Sequence, residues 1–91
     1  MTEEALWKVT FHRHARKDAV LVERSGLRAR AEAILELLAQ DPFASPPPFE
    51  KLIGDLAGAY SRRLTIQHRV VYTVLEDTHE VRVLRMWTHY E

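Results

Sequence analysis

The sequence predicts a small α+β domain, in the order β-α-α-β-β-β, with a helical hairpin on one face of an antiparallel sheet. Three observations carry that prediction. Runs rich in aromatic and β-branched residues with period-two alternation stand at 6–11 and again between 60 and 88. Apolar residues at helical spacing fill the stretch 15–38. Four prolines, three of them consecutive, separate that helical part from the later strands. A chain of 91 residues makes one domain, 1–91, with room for one modest core.

The first strand is "LWKVTF", in which Trp7, Val9 and Phe11 alternate with polar residues. From about His14 the period changes. Ala15, Ala19 and Val22 share a helical face, and Gly26 is placed as a C-terminal stop. Leu27, Ala31, Ile34, Leu35 and Leu38 mark a second amphipathic helix running to about Gln40. So little chain joins the two that they should form an antiparallel hairpin. "DPFASPPPFEKLIGDLAGA" cannot be helix or central strand, so it is expected to be a long loop, and loops of that length in compact domains are usually functional.

Three strands then follow: "YSRRL", "RVVYTVL" and "EVRVLRMWT", with "EDTH" as a tight turn between the last two. Strict alternation puts Val70, Tyr72 and Val74 on one face and Arg69, Val71 and Thr73 on the other. It also puts Arg62 and Arg63 on opposite faces, and it separates Val81, Val83, Arg85 and Trp87 from Arg82, Leu84 and Met86.

The 46% hydrophobic and 29% charged composition is that of a soluble globular protein. There is no cysteine, which excludes a disulfide framework and a cysteine-based zinc site. The amino end has acids where a secretory leader needs a basic region, and no apolar run reaches membrane-spanning length, so a cytoplasmic location is expected. Net charge is zero, but residues 56–75 hold no acid while carrying Arg62, Arg63, His68 and Arg69. Such a local patch either binds phosphate or is a solvated strand surface. "HRH" at 12–14 offers two histidines without a third ligand, which reads as a helix entry rather than a metal pair. Trp87 reads as packing, His79 as a turn residue, and His68 as a turn residue within reach of the arginine patch.

"GAYSRRLTIQHRVVYTV", preceded by "DPF…PFEKLIGDL" and followed by a closing "RMWTHYE", resembles the Txe/YoeB family of toxins, within the RelE/ParE superfamily of toxin–antitoxin systems. The resemblance implies a RelE-like microbial ribonuclease fold and a ribosome-dependent messenger RNA endonuclease held in check by a cognate antitoxin. It implies that Glu50 is the general base, His89 the general acid and Arg69 the phosphate-stabilising arginine, with Arg63 and Tyr90 as substrate contacts. No metal or cofactor is implied, and homodimerisation is left open.

The chemistry agrees with that set. In RNA the 2′-hydroxyl can attack its own adjacent phosphorus, so the protein needs no nucleophile of its own. It needs a base, an acid for the departing 5′-oxygen, and a fixed cation for the charge on the phosphorane. A carboxylate, an imidazole and a guanidinium supply these, and a tyrosine can stack on an unpaired base. Two other readings remain. One is a ParE-like toxin that inhibits DNA gyrase on the same scaffold; the other is a non-catalytic module that binds an antitoxin or dimerises.

Overall fold

A computed structural model of the chain describes residues 6–88. Its elements are β1 (Lys8–Phe11), α1 (Arg13–Arg24), α2 (Arg28–Gln40), β2 (Phe49–Lys51), a 3-10 turn (Gly54–Leu56), β3 (Ala59–Arg63), β4 (Arg69–Leu75) and β5 (Glu80–Thr88). The five strands form one sheet in the order β1-β5-β4-β3-β2. The α+β class and the helices on one face are as the sequence predicts.

Two features differ from the prediction. The sheet is mixed, because β1 runs parallel to β5 with Lys8 opposite Glu80 and Phe11 opposite Val83. No hairpin joins these strands, so nothing local imposes an antiparallel direction. The proline-rich segment also ends in a strand. Phe49, Glu50 and Lys51 pair antiparallel with Arg62, Ser61 and Tyr60, beginning immediately after the last proline, where backbone donors return.

The helices are delimited by local chemistry. His12 is the N-cap of α1, its Nδ1 accepting from the His14 amide at 3.1 Å, so the "HRH" pair is the helix entry the sequence suggests. Gly26 has φ 73°; its amide donates to the Glu23 carbonyl and the Leu27 amide to that of Val22, which closes the helix in a Schellman motif. Ala15, Val22, Ala31, Ile34 and Leu38 then pack on Val70, Tyr72, Val81, Val83 and Met86 to make the main core. The opposite face carries only a small cluster of Leu52, Ala59 and Val71, with Leu84 against it. Much of that face is therefore free to carry polar chemistry.

Met86 lies on the helix side, not where strict alternation puts it. The reason is two register shifts in β5 opposite Arg69, Val71 and Tyr72, each adding a residue and resetting the alternation. The amides freed by this irregularity need an acceptor, and Asp18 of α1 provides it. Its buried carboxylate accepts from the Met86 amide at 2.9 Å, the Trp87 amide at 3.2 Å and the Arg85 guanidinium at 2.8 and 3.2 Å. Burial alone pushes the Asp18 carboxyl up; the bonds from Arg85 and the two amides outweigh it and hold the carboxyl below its ordinary value. Trp87 then packs on the core edge, as expected of it, and stacks on His68 with ring centres 3.7 Å apart. His79 does occupy the β4–β5 turn, at φ 55°, and also stacks on Trp7 at 3.8 Å.

The proline-rich segment is ordered by Arg62. This side chain is 1% exposed and has no carboxylate partner among the described residues. Its guanidinium donates to the carbonyls of Pro42 (3.0 Å), Ala44 (2.7 Å) and Pro47 (2.6 Å), and its Nε to the Tyr72 hydroxyl (3.1 Å). The Tyr72 hydroxyl in turn donates to Pro42, and the Phe49 ring lies 5.0 Å beneath the guanidinium. Phe43, Phe49 and Tyr60 complete an aromatic cluster, with ring centres 5.3–6.0 Å apart. Because Phe49 is drawn to this side, Glu50 must face the other.

Two outcomes follow for stability. Arg62→Ala strips the Ala44 and Pro47 carbonyls of their donor and leaves Pro42 and the Tyr72 hydroxyl only each other, and should cost about 3 kcal/mol or more in denaturant unfolding. Arg63→Ala, one residue along but exposed, should change stability by less than about 0.5 kcal/mol; equal losses would overturn this assignment. For Asp18, whose folded value is lowered, the contribution is present above the unfolded value of about 3.8 and lost as pH falls through the folded one. Unfolding measured across pH should therefore show Asp18→Asn clearly less stable than wild type near neutrality, with the gap shrinking in acid.

Candidate active site

The face away from the helices gathers charged side chains from β2, β3 and β4. Glu50 is the register partner of Ser61, and Arg63 that of Arg69. Since Ser61 and Arg63 are two apart on β3, all four share one side of the sheet. Arg69 Nη1 donates to Ser61 Oγ at 3.0 Å and forms an ion pair with Glu50 Oε1. Ser61 is wholly buried, so it fixes Arg69 from beneath. The Arg69 side chain is 16% exposed and that of Glu50 62%, which leaves the carboxylate open to an incoming group. Such a half-open ion pair adds little net stability.

Arg63 stands directly across from Arg69 and has no ion-pair partner among the described residues. Like charges facing each other across a ladder destabilise it. The arrangement becomes favourable once an anion sits between or above them. Beside this pair opens a cleft of about 730 Å³, lined by Arg30, Pro47, Pro48, Glu50, Arg63, Leu64, Thr65, Ile66 and Arg69. Its lining holds three arginines and one carboxylate, a set that suits a phosphate diester held by charge-assisted forks.

Of the residues singled out in the sequence, Glu50, Arg63 and Arg69 thus come together on one surface. His89 and Tyr90 lie outside the described residues. The last described residue, Thr88, is the register partner of Arg69, so the strand that leads to them runs beside the arginine. His68 belongs to the β3–β4 turn; it is buried, 3.3 Å from Thr65 Oγ1 and covered by Trp87.

Sequence reasoning missed Ser61, Asp18 and Arg30. Ser61 carried a usable signal, since alternation puts it beside Arg63. Asp18 and Arg30 carried none, because their contacts cross from the helices to distant strands. Among the described residues no group of three His, Cys, Asp or Glu side chains is placed to hold a metal ion.

The family model for YoeB-like toxins of bacterial type II toxin–antitoxin systems matches residues 10–90. Toxin YoeB of Streptomyces coelicolor is 35% identical over 72 residues, covering 77% of this chain and 86% of that protein. Among solved structures, a YoeB/ParE toxin from Agrobacterium tumefaciens superposes with a TM-score of 0.82 at 28% identity, over 91% of this chain and 99% of that one. YoeB of Staphylococcus aureus, solved in complex with YefM, gives 0.77 at 25% identity over 92% and 98% of the two chains, and it has also been solved as a dimer. The chain therefore belongs to the YoeB-like toxins of bacterial type II toxin–antitoxin systems.

Proposed function

We propose that this toxin is a ribosome-dependent, metal-independent endoribonuclease that cleaves messenger RNA and so arrests translation. The observation that carries the reading is the Glu50–Arg69 ion pair set beside Arg63, which has no ion-pair partner among the described residues. A phosphodiester entering the cleft competes with Glu50 for Arg69 and takes the second guanidinium from Arg63. That exchange leaves the carboxylate beside the scissile step with a lone pair to spend on the 2′-hydroxyl.

Glu50 removes the 2′-proton as the 2′-oxygen attacks the adjacent phosphorus. Arg69 and Arg63 hold the extra negative charge of the phosphorane, in fork geometry and without risk of deprotonation. His89 gives a proton to the departing 5′-oxygen, and Tyr90 stacks on an unpaired base. The products are a 2′,3′-cyclic phosphate and a free 5′-hydroxyl. Guanidinium groups supply the charge that a Lewis acid supplies in other nucleases, so the scheme requires no cofactor. The substrate places the action in the cytoplasm, on messenger RNA in the ribosome. The S. aureus YoeB–YefM complex supports a cognate antitoxin for this chain too. An acidic segment of that partner, folding onto the arginine face, would block the same phosphate sites.

The test is cleavage of a defined messenger RNA in a purified translation system, with and without ribosomes and with a chelator present. Wild type should cut in the presence of chelator and only with ribosomes. Glu50→Gln and His89→Ala should each lose about 10²–10⁴-fold, and Arg69→Ala about 10²–10³-fold. Intact RNA with wild type would overturn the reading and turn attention to gyrase supercoiling or to binding alone.

A further inference from the structure

The cleft does not stop at the arginine pair. Beyond Arg63 it continues over the β3–β4 turn to α2, where Arg30 closes its far side. Arg30 is exposed, and among the described residues one of its five donors is used, Nη1 to the Leu64 carbonyl at 3.3 Å. That bond holds the guanidinium at the rim. Like Arg63, it has no ion-pair partner among the described residues. Ile66 lines the same cleft and is 88% exposed, although Leu64, two residues before it, is only 1% exposed.

Ile66 is not on a loose tip. The amides of Leu64 and Thr65 donate to the His68 carbonyl at 2.8 and 3.0 Å. Thr65 Oγ1 accepts from the amides of Gln67 and His68 at 3.1 and 3.0 Å, and His68 is clamped by the Trp87 ring. An aliphatic side chain is thus held out in water on an ordered turn, in a cleft that Arg30 and Arg63 also line. Among the described residues it belongs to neither core cluster. A base with its own phosphate matches such a site: a cation for the phosphate, and beside it an apolar surface of the kind nucleic-acid-binding proteins press against unstacked bases.

We propose that this end of the cleft is a second nucleotide subsite for single-stranded RNA, in which Arg30 receives a phosphodiester flanking the scissile one and Ile66 packs against the adjoining base. The proposal rests on the nuclease reading for the identity of its ligand. It adds a contact from α2, remote in sequence from every residue of the catalytic set.

The test uses the full chain and a length series of 2′-O-methyl oligoribonucleotides, whose blocked nucleophile prevents cleavage, with binding followed by fluorescence anisotropy at several salt concentrations. Wild type should tighten as the RNA grows past a dinucleotide. Arg30→Ala should lose about tenfold on the longer RNAs, equivalent to one charge-assisted contact, and nothing on the dinucleotide. Its log–log salt slope should fall by about 0.7, the share of one phosphate on a single strand, and Arg30→Lys should keep that slope. Ile66→Ala should weaken the longer RNAs several-fold with the slope unchanged, whereas Arg69→Ala should weaken every length. Both new positions are exposed, so thermal unfolding should match wild type. A loss in Arg30→Ala that is uniform over length, no loss at all, or no length-dependent binding by wild type overturns the subsite. The nuclease reading is judged separately, by whether wild type cuts messenger RNA in the translation system.

Discussion

A guanidinium buried with no carboxylate partner among the described residues organises this molecule. Taking a charge out of water costs several kcal/mol unless its donors are met. Arg62 meets that cost with three backbone carbonyls, a phenol and an aromatic face. The carbonyls have the converse problem. They belong to a segment with prolines at 42 and 46–48, where backbone donors are scarce and no ladder can form. Each side resolves the other's deficit. The outcome is a proline-rich stretch fixed firmly enough to deliver a three-residue strand in register, and with it Glu50.

The two adjacent arginines of "SRR" show how one sequence motif divides its labour. Pleating sends Arg62 into the aromatic cluster and Arg63 into the cleft. Arg63 and Arg69 face each other across the ladder, a like-charge placement that Glu50 relieves only at Arg69. Ser61, buried under Arg69, keeps that arginine from escaping the strain by swinging into solvent.

Both helices and the strands β1, β3, β4 and β5 were legible in the sequence because the spacing of their apolar residues shows a period. The face that carries Arg63 and Arg69 followed from alternation in β3 and β4, which have no irregularity. Alternation failed at Met86 because β5 contains extra residues, and a period-two rule has no means of detecting an insertion that only the partner strand reveals. The strand Phe49–Lys51 was hidden for a different reason: three residues are too few to show a period, and their pairing depends on Arg62 ordering what precedes them. The parallel pairing of β1 was equally out of reach, since it involves no turn and so leaves no local signal. Asp18 carries no signal in the sequence that marks it off from the other acids. Its role exists only because the insertion in β5 exposes two amides to it.

The position of β5 between β1 and β4 sets the order in which the chain can assemble. The β3–β4 hairpin, with Arg63 and Arg69, closes through a short turn, and its contacts are local. Among the described residues the sheet neighbour of β1 is β5 alone, and Thr10 reaches Glu80 across 70 positions. Closing so large a loop is entropically expensive before any contact rewards it. The arginine face is therefore made from residues near one another in sequence, whereas the core that stabilises it waits on the least local pairing in the molecule. Docking of α1 onto β5 brings Asp18 to the β5 irregularity, so the shape of the strand beside Arg69 depends on a contact between sequence-distant parts of the fold.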